Sequence, residues 1–281
     1  MPLAQIIGVL VRISVFATVF AIGLGAPLKD VGYLLHKPQL FVRSLLAMYV
    51  ATPVVAVLLA HFVPAPLPVR IAVFLMAISA GAPMLSKKLV KLGASTQYVH
   101  SLSVLMGLLA AGTVPLSLWL LSRFFGADVR VEPGQVASTV MKGFLAPLLA
   151  GMALRLFAPG LAQRIGGPLA TAAGVLLAVL VVLIVAASFK AILAVGLPGL
   201  AIIVLMTFAA LAIGHVLGGP DPGDRTTLAV ACATRFPGLA LLVASLNFPS
   251  GNAVPVVVAY VLISSLAAFP YLRMRQAAVP K

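Results

Sequence analysis

The residues with the most chemical potential in this chain stand in one short run, Thr234-Arg235-Phe236-Pro237-Gly238, inside an otherwise apolar stretch from Thr226 to Asn247. A guanidinium at mid-membrane depth costs from roughly 2.5 to more than 10 kcal/mol, depending on the reference state, so it must meet a cavity, backbone carbonyls or an anion. Two roles for Arg235 stay open on this reading. It is either a structural cap on the carbonyls of an opposing half-helix, or the group that grips a carboxylate or sulfonate through a charge-assisted fork. In the second role Phe236 packs an apolar part of the same solute. A related run, Ser79-Ala80-Gly81-Ala82-Pro83-Met84-Leu85-Ser86-Lys87-Lys88, closes an earlier apolar stretch. Lys87 and Lys88 read either as plain cytoplasmic charges or as the mouth of an anion pathway. Freed carbonyls together with Ser86, Ser103, Thr234 or Asn247 could hold a monovalent cation, though weakly.

Both runs carry a helix-breaking pair. Pro83 and Pro237 each remove a backbone donor and clash with the preceding turn, and Gly81 and Gly238 let the chain bend beside them. Freed main-chain groups are tolerated at membrane depth only where protein or a polar cavity satisfies them. Single prolines such as Pro53, Pro115 and Pro147 read as ordinary kinks. Two breaks in the third span of each half read instead as a crossing of broken helices, the best sequence pointer to a transporter site.

The elements that must position these residues are membrane helices. The 281 residues are 62% hydrophobic and 9% charged, with mean hydropathy +1.19, whereas an average soluble domain carries about 25% charged residues. Nineteen Lys/Arg against five Asp/Glu lie singly between apolar runs, without the basic face that nucleic acid requires. Spans of about 20 apolar residues fall at 5–25, 39–62, 69–85, 95–125, 136–157, 168–189, 197–217, 226–247 and 253–272, nine in all. The expectation is an all-α, polytopic membrane protein formed as a single transporter domain over 1–281. Its halves, about 5–125 and 168–272, are inverted repeats.

Basic residues orient the chain. Alternate connections hold Lys29, Lys37, Arg43, Lys87, Lys88, Lys91, Arg155, Arg164, Arg225, Arg273, Arg275 and Lys281. The opposite ones hold Arg70, Arg123, Arg130, Lys142 and Lys190. The bias places the N-terminus outside and the C-terminus in the cytoplasm, in a membrane that reads as a bacterial inner membrane. Arg12, two turns into the first span, snorkels outward.

Asp30, Asp128, Glu132, Asp221 and Asp224 are all expected in connections, which argues against strong cation coupling, since coupling usually relies on intramembrane carboxylates. His36, His61, His100 and His215 read as structural, the last within a Gly214–Gly218 small-xxx-small stretch suited to helix packing. A lone Cys232 excludes a cysteine-based zinc site. No hydrolase, metalloprotease or phosphate-loop motif is present, so no enzyme activity, metal or cofactor is expected, with sodium the one doubtful exception. The expected partners are a small organic anion and the lipid bilayer.

The order of motifs resembles the bile acid:sodium symporter family. Ile22-Gly23-Leu24-Gly25-Ala26-Pro27-Leu28, then Lys37-Pro38 and the Pro83 break, are similar to that family's start. The run from Arg235 to Ala244 resembles its second crossover, and Asn247-Phe248-Pro249 with 253–271 its closing helix. The resemblance implies a core domain holding both crossing helices, a smaller panel domain, alternating access at the crossing, and no tenth N-terminal helix. It also exposes departures. The family's Glu-x-x-x-Gln-Asn falls on Ala231, Arg235 and Phe236, and its Pro-Gly-Gly-Thr-x-Ser-Asn on the run from Pro83 to Leu89. Fixed cations then stand where the family binds movable ones, which implies an organic-anion carrier with weak or absent sodium coupling. The alternatives are a sodium-coupled symporter of the same family, or a non-transporting sensor or scaffold. Auxin-efflux-type carriers share the inverted-repeat logic.

Overall fold

A computed structural model describes residues 3–80, 95–124, 133–248 and 253–277. Among them every regular element is helical: α1 (Leu3–Gly25), α2 (Leu28–Val31), α3 (Pro38–Phe62), α4 (Leu67–Ile78), α5 (Thr96–Phe124), α6 (Gly134–Phe157), α7 (Pro159–Ala187), α8 (Phe189–Leu193), α9 (Gly196–Leu217), α10 (Pro222–Thr234), α11 (Pro237–Asn247) and α12 (Ala253–Ala277). Among the described residues eight stretches are long and apolar enough to cross a membrane, counting α10 and α11 as one, and α4 is a shorter apolar helix. The protein is an integral membrane protein.

The broken helix is the axis of the molecule. Of the Pro222–Leu246 stretch 89% is buried, against 22–50% for the other seven. It is therefore shielded from lipid by its neighbours, as a helix with unpaired main-chain groups must be. Around it α1, α6 and α7 pack on one another, while α3, α4, α9 and α12 pack around α10 and α11. The two groups meet where α1 and α6 touch α11. Leu239 to Ala244 of α11 are buried in one apolar cluster with Val15 of α1, Phe144 of α6 and Val256 to Tyr260 of α12.

Local chemistry explains the ends that matter. Asp221 caps α10, its Oδ1 accepting from the Gly223 and Asp224 N–H groups at 2.8 and 2.9 Å, with Pro222 at the first helical position. The Gly214–Gly218 stretch performs the packing its spacing suggests: a Cβ on Gly214 would fall 2.4 Å from Ala229 Cα, and one on Gly218 2.4 Å from Arg225 Cα. Next to it His215 Nδ1 and the Tyr271 hydroxyl lie 2.9 Å apart, tying α9 to α12.

Several expectations need correction. Pro168 does not start a span but lies within α7, because a long membrane helix can re-satisfy the single donor it loses. Lys142 is not in a connection; it sits inside α6. Asp224 is not in a loop either, but in the first turn of α10 and only 7% exposed.

Two π-helical segments bear directly on the site. Leu46–Ala51 in α3 and Met141–Leu145 in α6 each precede an X-Pro pair, Thr52-Pro53 and Ala146-Pro147. The Thr52 N–H reaches back five residues to the Ala47 carbonyl. Pro53 has no N–H to offer, so the Met48 carbonyl is left without a partner in its own helix.

Candidate functional site: the helix break at Arg235

The second break lies where the sequence puts it. Helix α10 ends at Thr234, and α11 restarts at Pro237, which is pre-organised for a first helical turn. Between them Arg235 takes φ 47° and ψ −169°. That conformation is close to one held almost wholly by glycine and costs about 1–3 kcal/mol for a residue with a side chain. The surrounding packing holds it there.

Phe236 joins the two interrupted segments. Its N–H donates to the Ser79 carbonyl at 3.0 Å, just beyond the last turn of α4, where Ser79 Oγ turns back to the Leu75 carbonyl at 2.7 Å. The end of α4 and the α10–α11 break therefore touch through the main chain. Gly81, Pro83, Ser86, Lys87 and Lys88 lie outside the described residues.

The Arg235 side chain is 2% exposed. Its Nη2 donates to the Met48 carbonyl at 2.8 Å, the oxygen orphaned by the π segment and Pro53. Its Nε and Nη1 are buried without a hydrogen-bond partner among the described residues. The Tyr49 and Tyr260 phenols and the Cys232 thiol lie within its electrostatic reach, but no carboxylate forms a salt bridge to it among the described residues. This is a desolvated cation with donors to spare, in a protein where such groups are normally satisfied.

The neighbours define what such a cation could hold. Tyr49 anchors to α5, its hydroxyl donating to the Met106 carbonyl. It also lines a cavity of about 360 Å³ with Pro53, Val57, Phe74, Ser117 and Leu120. Phe236, 1% exposed, meets the Phe144 ring of α6 edge-on at 5.4 Å between centroids, and its ring also lies against Gly238.

The other expected site residues divide. Thr234 is at the break, its hydroxyl donating to the Val230 carbonyl at 2.8 Å. Ser103 lies on α5, one turn from Met106, and donates to the Val99 carbonyl at 2.8 Å. Asn247 closes the far end of α11, eleven residues and about 16 Å along the helix from the break. Sequence reasoning missed Met48, Tyr49, Ser79 and Phe144. Only the Thr52-Pro53 pair carried a signal for the first of these.

Helix ends meeting in the protein interior beside a buried cation are the local architecture of a solute carrier. The profile of the Sodium Bile acid symporter family matches residues 12–196. The chain belongs to this family. The match spans α1 to the start of α9, so the Arg235 break lies beyond it. The symporter-family chain is also similar to the "Uncharacterized sodium-dependent transporter YocS" of Bacillus subtilis (strain 168), 23% identical over 254 residues, which cover 86% of this chain and 76% of that protein. Membership makes it a membrane transport protein.

Proposed function

We propose that this symporter-family chain is a secondary transporter that moves a small organic anion by alternating access, with weak or absent sodium coupling. The observation that carries the reading is the buried Arg235 guanidinium, with Nη2 on the Met48 carbonyl and Nε and Nη1 unpartnered. A carboxylate or sulfonate reaching the guanidinium would accept those donors. Phe236 would pack the apolar part of the solute, and Thr234, Ser103 and the lysines Lys87 and Lys88 would lie on its route, with Ser86. Pro83 and Pro237, with Gly81 and Gly238, would keep the crossing open; Asn247 would act at the far end of α11. On this reading the group α1, α6 and α7 forms the panel, the remaining long helices form the core, and nine spans put the N-terminus outside a bacterial inner membrane.

The sodium question rests on the same atom. A fixed cation at the break competes electrostatically with a movable one. The second reading, a sodium-coupled symporter, is favoured by the printed name of the relative YocS. Uptake of taurocholate and a panel of aliphatic and aromatic carboxylates and sulfonates into proteoliposomes separates the two. The proposal expects flux that persists when external sodium is replaced by choline. Flux that disappears without sodium rejects the uncoupled mechanism, and a protein that moves no member of the panel rejects the carrier.

A further inference from the structure

A second cationic cavity lies away from Arg235. About 330 Å³ in volume, it is lined by Arg12 of α1, by Ser138, Thr139 and Lys142 of α6, and by Leu242 and Leu246 of α11. Arg12 and Lys142 both stand within apolar spans, about two turns from their starts, and are exposed on the surface of the protein, so each cation reaches this cleft from the outside of the helix bundle rather than from its buried interior. Neither forms a salt bridge to a carboxylate among the described residues. Two hydroxyl side chains beside two cations, facing an apolar wall, make the lining of an oxyanion site with room for an organic body.

Its position follows from three helix directions. Val15, one turn beyond Arg12, touches Gly238; Phe144, two residues beyond Lys142, meets Phe236; and Leu242 and Leu246 lie one to two turns beyond Gly238 along α11. All three helices therefore place the cavity on one side of the Phe144–Phe236 contact. On the topology proposed above this is the outer side. A Cβ on Gly143 would fall 2.6 Å from Leu242 Cδ2, so α6 and α11 close tightly beside the pair.

The geometry points to a second, outer anion-binding site formed by Arg12 and Lys142 across the α1–α6–α11 junction, which takes a singly charged oxyanion (carboxylate, sulfonate or phosphodiester) separately from Arg235. Two sources share that chemistry, a soluble organic anion or the headgroup of an anionic lipid. The site does not require Arg235 to bind anything; only its designation as outer rests on the proposed topology.

Reagents of opposite charge test it without knowledge of the transported solute. Ser138→Cys supplies a thiol in the cavity, the native Cys232 being buried. Full-length protein in nanodiscs of zwitterionic lipid is labelled with the anionic sulfonatoethyl and the cationic trimethylammonioethyl methanethiosulfonates. The anionic reagent should be favoured, and Arg12→Gln with Lys142→Gln should lower the anionic-to-cationic rate ratio by about tenfold or more, since the two reagents respond in opposite senses to the same fixed charges. Lys142→Arg should keep the ratio, and the thermal midpoint and gel-filtration profile separate misfolding from loss of charge. Arg235→Gln should leave the ratio unchanged, so a failure of the Arg235 reading stays distinct from a failure of this one. Protection by soluble isethionate in all nanodiscs assigns a free anion; slower labelling only when phosphatidylglycerol is included assigns a headgroup, and both support the site. A ratio unmoved by neutralising Arg12 and Lys142, or an introduced thiol inert to both reagents in folded Ser138→Cys protein, overturns it.

Discussion

Replacing Arg235 with methionine separates the two roles a buried guanidinium can have. In the structure Nη2 makes one hydrogen bond, to Met48, and Nε and Nη1 make none among the described residues. A carboxylate taking up two of the free donors would gain charge-assisted bonds of about 1.5–3 kcal/mol each. Losing both is about 3–6 kcal/mol, or roughly a hundredfold to ten-thousandfold in affinity at about 1.4 kcal/mol per decade. The fold should respond far less. Removing the side chain leaves the Met48 carbonyl unpartnered, at about 1–3 kcal/mol, while replacing a buried, incompletely satisfied charge by an apolar group often stabilises by about 1–4 kcal/mol. These nearly cancel, so the thermal midpoint should move by no more than roughly 5 °C. The assay is equilibrium binding of the best-transported anion of the flux panel, with thermal unfolding followed in the same detergent. An Arg235→Met protein that binds the anion as tightly as the parent refutes the anchoring role. One that unfolds at room temperature while Arg235→Lys stays folded assigns the guanidinium to structure instead.

Other outcomes follow from the same packing. Gly214→Val should lower stability by about 1–3 kcal/mol through forced separation of α9 from Ala229, read as a drop in thermal midpoint with binding per folded molecule preserved. Asp221→Ala removes the acceptor of the Gly223 and Asp224 N–H groups and should cost about 0.5–2 kcal/mol, whereas Asp221→Asn should restore most of it. Pro53→Ala supplies an N–H that competes with Arg235 for the Met48 carbonyl. Anion affinity should fall several-fold with little change in midpoint, and unaltered affinity would show that the Met48 contact does not orient the guanidinium.

The legible parts of this protein are those in which one residue type forces one physical outcome. Nearly uncharged apolar runs must lie in lipid, so most of the long helices could be placed to within a few residues, α7 excepted, which begins nine residues before the expected start at Pro168. Arg235-Phe236-Pro237 carried the strongest break signal, because a proline, which the helices around Pro115 and Pro168 absorb, is joined there by a guanidinium that has no place in lipid. Gly214 and Gly218, four apart, had to mark a close helix contact, and Ala229 and Arg225 fill it. What escaped the sequence depended on tertiary geometry. The Met48 carbonyl has no side-chain signature; it becomes an acceptor only because a π turn, a threonine and a proline together strip it of its helix partner. Lys142 resembled a loop charge, since a single lysine among Ser, Thr and Gly reads the same in a connection as on a helix face lining a cavity. Asp224 looked like loop acid because the span was read from Thr226, whereas the Asp221 cap and Pro222 start the helix earlier.

The central claim, that the guanidinium at the break holds the carried solute, is tested most directly by locating a brominated organic carboxylate in crystals of the protein by its anomalous signal. The account predicts a bromine peak beside Arg235, with carboxylate density at hydrogen-bonding distance from Nε or Nη1, and its loss in Arg235→Gln crystals grown in the same way. Bromine found only elsewhere, with Nε and Nη1 still unpartnered at saturating ligand, contradicts it.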